Sequence, residues 1–127
     1  MKKKSTFLFY FLLLIAGFVL PVYSTYASKL TTELRLPAVG VLCDRYICVN
    51  HAGVSHALTK KYLGKKVANK LLAEISQVQG HFDRTKFTFA NGIFCDTKKR
   101  LCYKNRYYVN GKHSPVSMRY TRLLFRY

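Results

Sequence analysis

Acidic residues are scarce in this chain: five Asp and Glu stand against 22 Lys and Arg, a formal net charge of +17. Glu33, Asp44, Glu74, Asp83 and Asp96 are the whole carboxylate supply, so acid–base chemistry by a carboxylate pair has few candidates. No G-x-S-x-G elbow, phosphate-binding loop or Rossmann glycine pattern occurs, which argues against α/β-hydrolase and nucleotide-binding chemistry. The C-x2-C spacing usual in zinc sites is missing too, the gaps within the two cysteine pairs being four and six residues. The apolar run from Phe7 to Leu20 falls short of the ~18 residues that argue for a spanning helix.

That run has a different reading. Lys2, Lys3 and Lys4 precede it, Pro21 breaks it, and Thr25-Tyr26-Ala27 offers small residues where a signal peptidase reads. This is the pattern of a secretory leader over residues 1–27, an uncleaved anchor being the alternative. Residues 28–37 read as a linker and 38–127 as the domain. The 22 basic residues, less three in the leader and set against five acids, leave a net charge of +14. Self-repulsion on that scale opposes compaction, so a small domain needs additional cross-links.

The cysteines supply them. Gly40-Val41-Leu42-Cys43-Asp44 and Gly92-Ile93-Phe94-Cys95-Asp96 are two copies of one motif, followed by Cys48 and Cys102 respectively. Four cysteines behind an export-type leader read as a disulfide framework of a periplasmic or extracellular protein. Local pairs are favoured because each straddles a turn-like segment. Pairing across the copies, Cys43 with Cys95 and Cys48 with Cys102, and a four-thiolate zinc site are the alternatives. In the chain-entropy model loops this short contribute about 2 kcal/mol each, less any strain.

Around these pairs the pattern predicts a small single α+β domain, two disulfide-stapled β-hairpins with a short helical segment between them. Ala38 to Asn50 suits a strand pair, and Asn50-His51-Ala52-Gly53 is turn chemistry. Ser55 and Thr59 are each able to cap a helix that Gly64 would close. Val67, Leu71, Ile75 and Val78 form one apolar stripe of a second helix ending at Gly80. Lys60, Lys61, Lys65, Lys66 and Lys70 are then the solvated face of this helix pair. Thr85 to Ala90 alternates and turns at Asn91-Gly92 into Ile93-Phe94-Cys95. Leu101 to Val109 is the next strand, Asn110-Gly111 another turn, and Val116 to Phe125 a closing helix with Met118, Leu124 and Phe125 partly buried.

The runs GVLCDRYICVN, GVSHALTKKYLG, FTFANGIFCD and NGKHSPVSMRYTRLLF, in that order, resemble the Fels prophage-protein-like (YcgJ-type) family. The likeness covers about Val39 to Phe125 and is most specific over Thr88 to Asp96. It implies a small, prophage-related exported bacterial protein of the envelope, and it carries no catalytic residues across.

Asp44 and Asp96 read as turn-capping carboxylates, since duplicate motifs predict equivalent environments. His51, His56, His81 and His113 read as solvated or packed histidines; no carboxylate stands beside His51 or His113 to orient it, and a nuclease built on those two is the least favoured function. The basic–aromatic interleave is more suggestive. Lys98, Lys99, Arg100, Lys104 and Arg106 would neutralise phosphates, while Tyr103, Tyr107 and Tyr108 stack or pack. No recognisable nucleic-acid-binding motif accompanies them. The expected function is therefore non-enzymatic, without cofactor or metal. Its expected partner is a polyanion such as lipopolysaccharide, an acidic wall polymer or extracellular nucleic acid. The alternative is a protein–protein module, an inhibitor or phage-related factor, presenting Arg45-Tyr46 or the Lys98 turn.

Overall fold

The computed structural model describes residues 33–78 and 80–126. The expected leader and residues 28–32 of the linker lie outside them. Among the described residues no helix is long and apolar enough to cross a membrane.

The first half is an antiparallel sheet in sequential order, β1 (Arg35–Ala38), β2 (Val41–Cys43), β3 (Cys48–Asn50) and β4 (Gly53–Val54). Helices α1 (His56–Leu63) and α2 (Lys65–Gln77) follow. The second half is a three-stranded antiparallel sheet, β5 (Lys86–Thr88), β6 (Phe94–Asp96) and β7 (Leu101–Tyr103), then a small ladder, β8 (Tyr108–Val109) with β9 (Lys112–His113). Helix α3 (Met118–Phe125) closes the chain.

Both disulfides are local, Cys43–Cys48 and Cys95–Cys102, which removes the crossed pairing and the zinc site. Each joins directly opposed residues of a hairpin, with Cα atoms 4.2 and 4.0 Å apart. Opposed positions without a shared hydrogen bond bring side chains closest, and that closeness lets a staple form across a sheet.

Strand alternation divides the first sheet between two cores. Val41, Cys43 and Cys48 are buried against Leu58, Tyr62 and Leu63 of α1. On the other face Leu42, Val49 and Val54 join Leu71, Phe87, Phe89, Ile93, Leu124 and Phe125 in the main core. Burial on both sides explains why Val41-Leu42-Cys43 is apolar throughout instead of alternating.

The repeat extends beyond the cysteine motif. Val54-Ser55-x-x-x-Thr59 and Val116-Ser117-x-x-x-Thr121 place equivalent residues at the starts of α1 and α3. Ser55 N–H donates to the Cys48 carbonyl at 3.0 Å, and Ser117 N–H to the Cys102 carbonyl at 2.7 Å. Each threonine hydroxyl then accepts from the second cysteine of its own hairpin, Cys48 N–H to Thr59 Oγ1 at 3.0 Å and Cys102 N–H to Thr121 Oγ1 at 2.9 Å. Both threonines are fully buried. The described residues thus hold one arrangement twice, a stapled hairpin locked to a helix by a threonine. Thr59, expected as an N-cap, is this lock; Ser55 is the cap, its Oγ accepting from Leu58 N–H at 3.1 Å.

Replacing Thr121 by Val keeps the shape but leaves the Cys102 N–H buried without an acceptor. The expected loss is about 1–3 kcal/mol, read as a lower thermal midpoint, with Thr121→Ser recovering most of it. Equal midpoints for Thr121→Val and the parent would show the lock to be dispensable.

Other elements differ from expectation at their ends. Arg35–Pro37, assigned to the linker, belong to β1, whose edge position tolerates a proline. Helix α2 stops at Gln77, so Val78 caps it and is exposed, and Gly80 lies three residues beyond. The strand expected over Leu101 to Val109 is cut after Tyr103. There Lys104 N–H turns to the Pro115 carbonyl and Asn105 N–H to Ser114 Oγ. Met118 is exposed because it opens α3 ahead of the buried set Tyr120, Thr121, Leu124 and Phe125. The lysines of α1 and α2 are exposed, as their places off the stripe require.

Candidate functional site

Asp44 and Asp96 shape the two hairpin turns. Asp44 Oδ1 accepts from Tyr46 N–H at 2.7 Å and Ile47 N–H at 2.9 Å. Asp96 Oδ1 accepts from Lys98 N–H at 3.0 Å and Lys99 N–H at 3.3 Å. These are capping roles that need no substrate. The second turn is the longer, and it carries Lys98, Lys99 and Arg100, all exposed, at the tip of β6–β7.

Their surroundings separate the three. Lys99 Nζ lies 3.2 Å from His113 Nε2, and the Tyr108 hydroxyl lies 2.9 Å from the same nitrogen. The ammonium and the phenol thus converge on one ring nitrogen. His113 is flanked by rings: Tyr103 stacks on it at 4.2 Å and Tyr108 leans against it at 4.3 Å. Lys98 lends its charge to Asp83, whose carboxyl is held below its usual range. The hydrogen bond from the Thr85 hydroxyl is the main cause, followed by the Thr85 N–H, with Lys98 and Lys86 adding their charge. A depressed carboxyl contributes stability above its unfolded pKa, and that contribution fades as pH falls through the folded value.

Arg100 is committed elsewhere. Its Nη2 donates to the Phe125 carbonyl at 2.6 Å, and its guanidinium lies 5.4 Å from the centre of the Phe125 ring. It holds a positive φ of 57° while tying the tip to the end of α3. Tyr103 is likewise a packing residue, only 5% exposed between His113 and Phe94, so it offers no face for stacking a ligand. What remains accessible is Lys98, Lys99, Lys104 and Arg106 with Tyr107 and Tyr108. The Arg106 guanidinium stands 5.6 Å from the Tyr107 ring centre. The β8–β9 hairpin that carries Tyr108 turns at Asn110-Gly111, both residues at positive φ, as a type I′ turn requires.

The organising member missed in the sequence is His113. Its place ten residues past Tyr103, beyond two turns, gives no periodic hint of contact, and only the Asn-Gly turn pairing it with Tyr108 could have pointed there.

The described residues hold no group of three or more His, Cys, Asp and Glu able to bind a metal ion. The fold and this face define a class: a duplicated α+β domain of two stapled hairpins, carrying a basic–aromatic cluster on its second half. Residues 34–125 match the family model described as YcgJ protein. A protein of Escherichia coli (strain K12) described as uncharacterized protein YcgJ is 50% identical over 94 residues, covering 72% of this chain and 73% of that protein. The chain belongs to the YcgJ family. No solved structure matches it.

Proposed function

We propose that this is an exported, non-enzymatic protein that binds polyanions through the face formed by the β6–β7 tip and the β8–β9 hairpin. One observation carries the reading: Lys98, Lys99, Lys104 and Arg106 are exposed in the same stretch of chain as the exposed Tyr107 and Tyr108, with Lys99 and Tyr108 meeting at His113. Cations neutralise phosphates or sulfates, and accessible rings add sequence-tolerant stacking. The two disulfides suit an oxidising compartment. Polyanions encountered there include lipopolysaccharide, acidic wall polymers and free nucleic acid.

Titration with single-stranded DNA at several salt concentrations tests it. Affinity should fall steeply with salt, and Lys98→Ala with Lys99→Ala should reduce the slope of log K against log salt by about one to two. Unchanged affinity and slope in that variant would remove this face from the reading.

A protein–protein role has its own support. Tyr107, Tyr108 and Val109 are 66%, 59% and 69% exposed on one short hairpin, an apolar presentation beyond what charge neutralisation needs. A partner bound there would survive high salt, whereas polyanion binding would not.

A further inference from the structure

On the side of α3 distant in sequence from the lysine tip, β1, the β1–β2 turn and the helix enclose an open groove of about 810 Å³. Leu34, Leu36, Val39 and Leu123 line it. Leu36 is 47% and Val39 75% exposed, so the lining stays in water in the absence of an occupant.

Arg119, Arg122 and Arg126 stand on the same groove, and no carboxylate among the described residues lines it. Spacings of three and four along a helix bring these guanidiniums into neighbouring rows, where like charges repel. The helix dipole suits Arg122 and Arg126 near the C-terminus, but not Arg119 in the first turn. Arg119 lies over the Tyr120 ring, 5.4 Å from its centre. Three cations are therefore gathered beside an apolar trough.

We infer that this groove binds an anionic amphiphile, its acyl chain along Leu34, Leu36, Val39 and Leu123 and its phosphate held by Arg119, Arg122 and Arg126. Volume and lining are those of a small-molecule site, apolar with a few charged groups that fix orientation. Arginine rather than lysine is the residue suited to forked recognition of a phosphate. None of its lining residues belongs to the lysine–tyrosine face.

The test uses the full chain, purified as its producing cell leaves it, and dodecyl phosphate below its micelle concentration. Inorganic phosphate and dodecyl maltoside serve as head-only and tail-only probes. Dodecyl phosphate should bind one to one and at least tenfold more tightly than either. Val39→Asp should weaken it at least tenfold, as should Arg119→Gln, Arg122→Gln and Arg126→Gln together, while Lys98→Ala with Lys99→Ala leaves it unchanged. Leu36→Asp repeats the apolar arm at a second exposed position, and thermal midpoints near the parent's certify folding. A chain that ignores dodecyl phosphate, whatever covers its groove, overturns the inference. Binding matched by inorganic phosphate, or indifferent to these variants, does the same.

Discussion

Gly53→Ala is expected to lower the unfolding free energy by at least about 3 kcal/mol, a fall of roughly 12–24 °C in thermal midpoint for a domain of this size. Gly53 begins β4 at a φ of +118°, a conformation that side chains disfavour. A Cβ there would also lie 2.1 Å from the Arg84 carbonyl oxygen and 2.8 Å from its carbon. Neither obstacle is a flexible side-chain end. The Arg84 carbonyl accepts from Val54 N–H at 2.9 Å, a bond that sews the first sheet to the chain entering the second. Alanine therefore strains one residue and pushes apart a junction. Thermal unfolding followed by circular dichroism reads the outcome; a midpoint within a few degrees of the parent would mean that the two halves tolerate separation there.

Asp44→Ala should cost about 3 kcal/mol by a related route. Besides the two local N–H groups on Oδ1, Asp44 Oδ2 accepts from Ala90 N–H at 2.7 Å, reaching 46 residues along the chain. One carboxylate thus caps the first hairpin turn and holds the turn before β6. Asp44→Asn separates these roles. Its amide oxygen still serves Tyr46 and Ile47, but its NH2 cannot accept from Ala90, so roughly half of the loss should remain. Denaturant unfolding measures both variants, and equal losses for Ala and Asn would assign the whole effect to the contact with Ala90.

The contrast between Asp44 and Asp96 shows where sequence reading reaches and where it stops. Local chemistry is legible: cysteine pairs across a turn, aspartates capping that turn, Asn-Gly hairpins and the stripe of Leu71 and Ile75 all act within a few residues of themselves. The Ala90 contact leaves no mark in spacing. Thr59 and Thr121 are harder cases, because a buried hydroxyl and a capping hydroxyl look alike in a sequence. Their distances from the second cysteine of their own halves, 11 and 19 residues, differ between the copies. Only the paired Val-Ser-x-x-x-Thr pattern could have exposed them. At the candidate site the cations were legible as cations, but not their commitments. Arg100 is bound to the end of α3 and Tyr103 is sunk beneath His113 because strands and helix from distant positions converge on them. The apolar groove was out of reach for the same reason, since β1 and α3 meet only in three dimensions.

Local pairing of the cysteines has a consequence for how the chain matures. A polypeptide emerging N-terminus first exposes Cys43 and Cys48 while Cys95 is still to come. An oxidant that joins cysteines in their order of appearance makes the native bonds and no others, so no shuffling step is needed to correct them. Each staple closes inside its own hairpin, and a threonine from the helix that follows then latches it. The cross-links can thus be completed one half at a time, the first already in place when the second half arrives.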